Sequence, residues 1–143
     1  MQLSDAFDFV STNRNGMLIA LKSNGRPQSS NIAYTMGAGD DAGKILISVT
    51  DGRAKTKNLR RDPRASLHVN RDDFWAYVVI EADVELTTVA TTPSDGTVDQ
   101  LVDYYRSVAG EHDNWDEYRQ AMVDDARLIL KLTPTRAYGM LNR

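Results

Sequence analysis

Residues 74–86, FWAYVVIEADVEL, form the most regular pattern in the chain and decide its class of fold. Apolar residues occupy every second position, and this set comprises Phe74, Ala76, Val78, Ile80, Ala82, Val84 and Leu86. Strict alternation is typical of a β-strand that packs one face on a core. The opposite face begins with Trp75 and Tyr77 and becomes acidic towards its other end. We therefore predict that 74–86 form the longest strand of a sheet, with the alternating apolar residues in the core.

Shorter strand patterns lie on both sides of this stretch. Residues 17–22 and 28–36 flank Asn24-Gly25, a dipeptide that favours the positive φ angles of a tight hairpin. The same reading predicts three further strands, at 44–49, 64–70 and 128–132.

Helix patterns occur near the N-terminus and after the long strand. A short helix is predicted over about 4–12. Another begins at Thr92-Pro93-Ser94-Asp95, where a hydroxyl cap, a proline and a following carboxylate are typical of a helix start, and it ends before Gly110. One more helix carries Trp115, Tyr118 and Met122 on one side.

The order of these elements predicts the fold class. Because helices and strands do not alternate along the chain, the pattern argues against a doubly wound parallel sheet. Several half-apolar strands in succession must hide their edges. We therefore predict a mainly β fold with peripheral helices, organised as a small closed or split β-barrel in one domain, 1–143.

Composition excludes several classes of function. The 143 residues include 17 Lys+Arg, 20 Asp+Glu and no cysteine, which excludes disulfide frameworks, thiol nucleophiles and cysteine-based metal sites. A net charge of −3 argues against a general nucleic-acid binder. The longest apolar runs, MLIAL and AYVVI, are far too short to span a membrane, and no signal-peptide pattern is present. We expect a cytoplasmic protein.

Two features resemble functional sites, a dinucleotide-binding loop and a metal site, but lack the sequence context that such sites require. MGAGDDAG, 36–43, contains GxG, but no helix follows it and two aspartates would repel a phosphate, so we predict a loop. His68 and His112 are far apart in sequence and lack metal-ligand spacing. We predict no metal site.

The segment TDGRAKTKNLRRDPR, 50–64, is strongly basic within this acidic chain. It follows a predicted strand, turns at Thr50-Asp51-Gly52 and enters a short helix, so cations and helix amides are delivered together where an anion is favoured. Arg53 offers a planar fork and Lys55 a point charge, a pair that suits a terminal phosphate. The later cations, Arg60, Arg61 and Arg64, are interpreted as ordinary surface charges.

Strand alternation predicts a second part of this site. Ser48, Thr50 and Asn31 face away from the core, as do Trp75 and Tyr77. Small polar groups and aromatic rings near a phosphate site suit a flat, hydrogen-bonding ring with a phosphate tail, which is the shape of a flavin-like cofactor. The two aromatic residues are equally suited to a subunit interface.

Several blocks together resemble a known superfamily. ILISVTDGRAKTKNLRRDPRASLHV, with SNGRPQSSN before it and WAYVVIEADVEL after it, resembles the pyridoxamine 5′-phosphate oxidase-like split barrels, and most closely the actinobacterial deazaflavin-dependent reductases that use coenzyme F420. The resemblance extends over nearly the whole chain, including YRSVAGEHDNWDEYRQAMV. It implies a homodimer of six-stranded antiparallel split barrels, with two cofactor sites at the subunit interface.

The resemblance also implies roles for individual residues. The phosphate of the cofactor would be held by Arg53 and Lys55, with Lys57 and Asn58 nearby. The ring pocket would be lined by residues from three strands and closed by the partner subunit, in a set that comprises Asn31, Ser48, Thr50, Pro27, Gln28, Trp75 and Tyr77.

The implied activity is transfer of a hydride from reduced deazaflavin to an activated double bond of a small molecule. Two alternatives stay open at this point. An FMN-dependent oxidase or reductase of the same fold would use the same phosphate site, and a non-catalytic carrier would bind F420 without turnover. No side chain stands out as the proton donor, for which water and Tyr77 are candidates.

Overall fold

The computed structural model describes residues 1–142 and contains an antiparallel sheet with four peripheral α-helices. The strands are β1 Asn15–Leu21, β2 Pro27–Ala33, β3 Thr35–Met36, β4 Ile45–Thr50, β5 Arg64–Asn70, β6 Tyr77–Leu86 and β7 Arg127–Met140. The helices are α1 Leu3–Ser11, α2 Ala54–Arg61, α3 Gly96–Ala109 and α4 Trp115–Asp124. None of the helices within this part of the chain is long and apolar enough to cross a membrane.

The sheet curls because one continuous segment, 27–36, provides the strand at each of the two ends of the sheet. Its order is β2-β1-β5-β6-β7-β4-β3, so β2 and β3 lie at opposite ends. Only Tyr34 separates them in sequence, and β2 also contacts β4. If β2 and β3 are counted as one bent strand, as the pattern over 28–36 predicts, the sheet has six strands. The predicted mainly β split barrel with peripheral helices is confirmed.

Two clusters of buried side chains hold the barrel and its helices. The inner cluster draws on every long strand and includes Leu18, Ile47, Leu67, Ile80 and Leu130. The outer cluster joins α3 and α4 to the back of the sheet, with Val98, Leu101, Tyr118, Met122 and Ile129 among its members. Residues 128–130 are therefore buried on both faces of β7, which explains why their sequence, LIL, shows no alternation.

The start of the long central strand differs from the prediction. β6 begins at Tyr77, and Phe74 is 63% exposed rather than in the core. A tight turn removes Phe74 from the strand: the Asp73 carboxylate binds the Arg71 guanidinium and the Trp75 N–H, and Phe74 adopts a φ of 77°. Turn chemistry at Asp73 thus overrides the apolar alternation, which stays correct only from Ala76 onwards.

The longest strand is β7, with 14 residues, and not the strand over 74–86. The predicted end at Leu132 was wrong because the second half of β7 is mostly exposed and contains Pro134. A register shift between Glu81 and Ala82 of β6 lies next to that proline, so the paired strands continue through an irregularity that breaks the alternation.

The N-cap of α3 is Asp95, three residues after the predicted Thr92. Its carboxylate accepts hydrogen bonds from the N–H groups of Val98, Thr91 and Thr92. Burial raises the pKa of this carboxyl, and the three N–H donors more than offset that effect, so the pKa is about 2. The helix ends at Ala109 before Gly110, as predicted.

We expect Asp95→Ala to lower the free energy of unfolding by about 0.5 to 2 kcal/mol, the usual effect of losing an N-cap. Because the folded-state pKa lies below the ordinary value of 3.8, the contribution is complete above that pH and is lost as the pH falls towards 2. Urea unfolding at pH 7 and between pH 4 and 2 measures both effects. Asp95→Asn is the comparison variant: it removes this titration and keeps an oxygen for the Val98 N–H, but its NH2 group cannot accept from Thr91 and Thr92, so we expect an intermediate stability at pH 7. Equal stability of Asp95→Ala and the wild type at pH 7 would contradict the assignment.

Candidate functional site

The predicted anion site lies where β4 ends and α2 begins. The Thr50 carbonyl accepts hydrogen bonds from the Arg53 N–H at 3.2 Å and from the Thr56 hydroxyl at 2.8 Å. These bonds fix the turn at Asp51-Gly52 and make Arg53 the N-cap of α2. The short basic helix predicted from the sequence is confirmed, and its first amides lie beside the end of a buried strand.

Three cations converge at this point, and we call Arg53, Lys55 and Arg127 the cationic corner. Lys55 is partly buried, and burial is the first cause that lowers its pKa, followed by the charges of Arg53 and Arg127. Like charges at close range destabilise one another. An anion bound among them would remove that repulsion, so the corner is arranged to receive negative charge.

Arg127 is the member of the corner that the sequence interpretation missed. It pairs with Thr50 across β4 and β7, and its guanidinium donates to the Ser48 hydroxyl at 3.4 Å. Its Nε atom is buried and has no hydrogen-bond partner within residues 1–142. A buried N–H donor of a charged group without an acceptor is costly, and a ligand oxygen would satisfy it.

The remaining cations of the basic segment are already occupied. Arg60 binds the Asp51 carboxylate, Arg64 binds Asp62 at 2.8 Å, and Arg61 binds the Leu21 carbonyl. These contacts agree with their interpretation as surface charges. Two other predicted site residues lie beside them on α2: Lys57 is exposed, and the side-chain oxygen of Asn58 accepts from Arg61 at 3.1 Å.

A split separates β2 from β4 next to the cationic corner. The two strand segments that pair there are β3 and β4, with Thr35 opposite Leu46. If this pairing continued for two more residues, Ala33 would lie opposite Ser48. Instead, the hydroxyl of Tyr104 from α3 lies between these two residues. It donates to the Ala33 carbonyl at 2.8 Å and accepts from the Ser48 N–H. A tyrosine from a helix therefore takes the place of one strand-to-strand pair.

We expect Tyr104→Phe to lower the free energy of unfolding by about 1 to 3 kcal/mol, because it leaves a carbonyl and an N–H without their partner. Amide hydrogen exchange at Ser48 should become faster. Tyr105→Phe is the matched control, since Tyr105 takes part in ring contacts that phenylalanine retains. Unchanged exchange at Ser48 in Tyr104→Phe would show that the hydroxyl does not hold the split.

The predicted ring-pocket residues divide between the two sides of this split. Ser48 and Thr50 face outwards from β4, and Asn31 faces outwards from β2. Asn31 lines a cavity of about 640 Å³ whose walls also include Met17, Ala33 and His68. Ala33 belongs to both the cavity wall and the split, so the cavity and the cationic corner are neighbours around β2.

The two residues predicted at the edge of the pocket lie at the start of β2. Pro27 is exposed, whereas Gln28 is partly buried opposite Ala20 and so faces the barrel interior. The side-chain oxygens of Gln28 and Ser30 are buried without a hydrogen-bond partner in the described part of the chain. Both atoms lie on the face of β2 opposite to Asn31, so Gln28 is not brought together with the outward-facing residues of the predicted ring pocket.

The two predicted aromatic residues do not contact each other. Trp75 is 63% exposed at the β5–β6 turn and packs edge-on against Phe74, with ring centroids 5.3 Å apart. Tyr77 lies on the sheet face, 5.4 Å from the His68 ring. Across residues 1–142, no three His, Asp or Glu side chains are grouped as metal ligands.

Comparison with solved structures shows the same fold in proteins of low sequence identity. A conserved hypothetical protein from Mycobacterium tuberculosis is 21% identical with a TM-score of 0.75, covering 100% of this chain and 86% of the other. An F420 reductase is 18% identical with a TM-score of 0.62, covering 87% and 89%. A FAD-binding protein from Mesorhizobium loti is 15% identical with a TM-score of 0.66, covering 97% and 92%.

The comparison with protein families identifies one family for this chain. The model of the family described as pyridoxamine 5′-phosphate oxidase matches residues 4–141, which is nearly the full chain. The match includes every strand of the barrel, the split and the cationic corner. The chain therefore belongs to the pyridoxamine 5′-phosphate oxidase family.

Proposed function

We propose that the protein is a coenzyme F420-dependent reductase that transfers a hydride from reduced deazaflavin to an activated double bond of a small organic molecule. The observation that carries the proposal is the cationic corner: the charges of two arginines act on Lys55, and the buried Arg127 Nε has no acceptor among residues 1–142. A phosphate supplies negative charge and several acceptor oxygens at one point. Similarity to an F420 reductase supports the choice of cofactor.

Each part of the site has a distinct task in this proposal. The cationic corner and the first amides of α2 would hold the cofactor phosphate, and Lys57 and Asn58 would lie at its edge. Ser48, Thr50 and Asn31 would orient the ring at the split, with Pro27, on the same face of β2 as Asn31, at its edge. The bound cofactor would supply the hydride, and the protein would supply its position relative to the acceptor.

A band of positive charge favours the deazaflavin over FMN. The bond between Arg61 and the Leu21 carbonyl holds α2 beside the β1–β2 hairpin, whose turn carries Lys22 and Arg26. Exposed cations therefore extend from the cationic corner along α2 to the hairpin. The acidic polyglutamate tail of F420 would find partners there, whereas FMN has no group that reaches them.

Fluorescence titrations of the purified protein with F420 and with FMN test the proposal. We expect F420 to bind more tightly, and Lys22→Ala/Arg26→Ala to weaken F420 without changing the affinity for FMN. Tighter binding of FMN would transfer the proposal to a flavin-dependent oxidase or reductase of the same fold. Binding of neither would overturn the assignment of the cationic corner. F420 binding without reduction of any activated alkene would favour a carrier.

The proposal includes a homodimer with a cofactor site at each end of its interface. In support, the outer face of the β6–β7 pair and the adjoining turn expose large apolar side chains: Phe74, Trp75, Tyr138 and Met140. Burial of such a patch against a second copy is favourable. Trp75 and Tyr77 would then line the site of the partner. Light scattering of the wild type and of Tyr138→Lys measures the oligomeric state. We expect a dimeric wild type that Tyr138→Lys converts to a monomer, and a monomeric wild type would contradict the proposal.

A further inference from the structure

His68 lies on the wall of the cavity that Asn31 opens. It is half-buried on the outer face of β5, with Met17 of β1 on one side and Val79 of β6 on the other. The cavity of about 640 Å³ is within the usual range for small-molecule sites. An imidazole therefore lines the same cavity as Asn31, which is proposed to orient the ring, and lies beside Tyr77, which the proposed dimer places at a cofactor site.

The hydrogen bond between His68 and Asn70 decides the tautomer of the imidazole. Its Nε2 lies 3.0 Å from the side-chain oxygen of Asn70. An amide oxygen accepts but does not donate, so Nε2 carries a hydrogen and donates it to Asn70. The exchangeable proton is then the one on Nδ1. The ring also packs against Tyr77 in a tilted arrangement, with 37° between the two planes.

We propose that His68 is the general acid of the reaction, an inference that rests on the reductase activity proposed above. The bound cofactor would supply a hydride to the electron-poor carbon of the activated double bond as the C=C π bond breaks. The neighbouring carbon would take the proton from Nδ1 of the His68 imidazolium. The acceptor would thereby gain two hydrogens and the cofactor lose two electrons, and neutral His68, still bound to Asn70, would recover its proton from water.

The groups around His68 suit a residue that donates and recovers a proton. The titratable or charged side chains that line the cavity or contact the His68 ring are Tyr77, Arg71 and Asp72, and β1 contributes the neutral Met17. The same sheet face also carries Tyr138 of β7, opposite Val79, and the Glu81–Arg136 pair further along β6 and β7. Arg71 is itself bound to Asp73 at 2.7 Å. Charges of both signs therefore face this wall, and imidazole is the side chain best suited to proton exchange near neutral pH.

Nuclear magnetic resonance of protein labelled with ¹⁵N-histidine gives a readout that does not depend on turnover. The chain has two histidines, and His112 lies apart in the α3–α4 aromatic cluster with Tyr105 and Trp115. We expect saturating F420 to shift the ring ¹⁵N signals of His68 and not those of His112. The His112→Gln variant assigns the signals, because only those of His68 remain in it. If fluorescence shows bound F420 while the His68 signals stay in place, this proposal is wrong and the reductase proposal survives.

Kinetics with cyclohex-2-enone, a simple activated alkene, tests the chemical role. His68→Gln should lower kcat by about 100-fold, leave the affinity for F420 unchanged and remove the decline of kcat with rising pH. Asn70→Asp should move that decline to higher pH, because a carboxylate stabilises the imidazolium. His112→Gln should behave as the wild type. Wild-type kcat and an unchanged pH profile in His68→Gln would overturn the role, and absence of F420 binding would remove both proposals.

Discussion

Lys55→Ala is expected to weaken F420 binding by about 1.5 to 3 kcal/mol, or roughly 10- to 150-fold in Kd. The ammonium group would form a charge-assisted contact with the cofactor phosphate, and alanine leaves that oxygen without its cation. Lys55 is partly buried, and burial together with the charges of Arg53 and Arg127 lowers its pKa. Fluorescence titration at fixed ionic strength measures the change.

Arg64→Ala is the matched control for this experiment. It removes the same charge from the same basic segment, but Arg64 is exposed and bound to Asp62. A general electrostatic effect would weaken binding equally in both variants, whereas a phosphate site loses affinity only in Lys55→Ala. The ligand-free Lys55→Ala protein should be no less stable than the wild type, since repulsion from two arginines is relieved. Unchanged affinity in Lys55→Ala would remove the phosphate site.

Gly139→Ala should cause the largest loss of stability, about 3 kcal/mol, from strain and overpacking that each cost about 1 to 3 kcal/mol. Gly139 has a φ of 151°, and a Cβ atom there would lie 2.2 Å from the Tyr77 carbonyl oxygen and 2.9 Å from the Val78 Cα. Both obstacles are backbone atoms of β6, so relief requires the β6–β7 pair to separate. Urea unfolding at pH 7 measures the change.

Two other glycines separate the causes of that loss. Gly25 also has a positive φ, 84°, but a Cβ atom added there would have no atom of residues 1–142 within 4 Å, so Gly25→Ala reports conformational strain alone. Gly52 has neither feature, and Gly52→Ala should change stability by less than about 0.5 kcal/mol. If Gly139→Ala costs no more than Gly25→Ala, the close approach of β7 to Tyr77 is not what constrains this position.

Local signals account for the elements that were predicted well. β5 runs from Arg64 to Asn70 as expected, because its alternation is uninterrupted and Pro63 marks its start. The end of α3 before Gly110 follows from the positive φ of that glycine, 85°. In the same way, the basic turn into α2 depends on residues that are adjacent in the chain, so the sequence located it.

The errors occur where a local pattern competes with a contact that is distant or specific. Phe74 continues the alternation of β6, yet the Asp73 turn removes it from the strand. The second half of β7 lacks a strand pattern and is still a strand, because β6 is present to pair with it. Pairing partners provide the hydrogen bonds of a sheet, and they lie far away in sequence.

The candidate site shows the same division. Arg53 and Lys55 are recognisable because they share one turn with the N-terminus of α2. Arg127 is 72 residues beyond Lys55 in the sequence. Tyr104 lies on α3 among apolar residues, and nothing beside it in the sequence indicates that its hydroxyl has a polar role. Neither has a neighbouring residue that marks it as part of the site. They are identified only by the Ser48 contacts that both make.

The sequence by itself determined most of the strand segments, apart from the start of β6 and the second half of β7. It also determined which turn carries the cations and that the barrel needs closed edges, because alternation, turn chemistry and charge act over a few residues. Only the tertiary structure decided that β2 and β3 divide at Tyr34 between the two edges of one sheet. It also decided that Tyr104 occupies the split and that Arg127 completes the cationic corner. Those contacts join segments that are remote in sequence, and they become favourable only when the whole sheet brings them together.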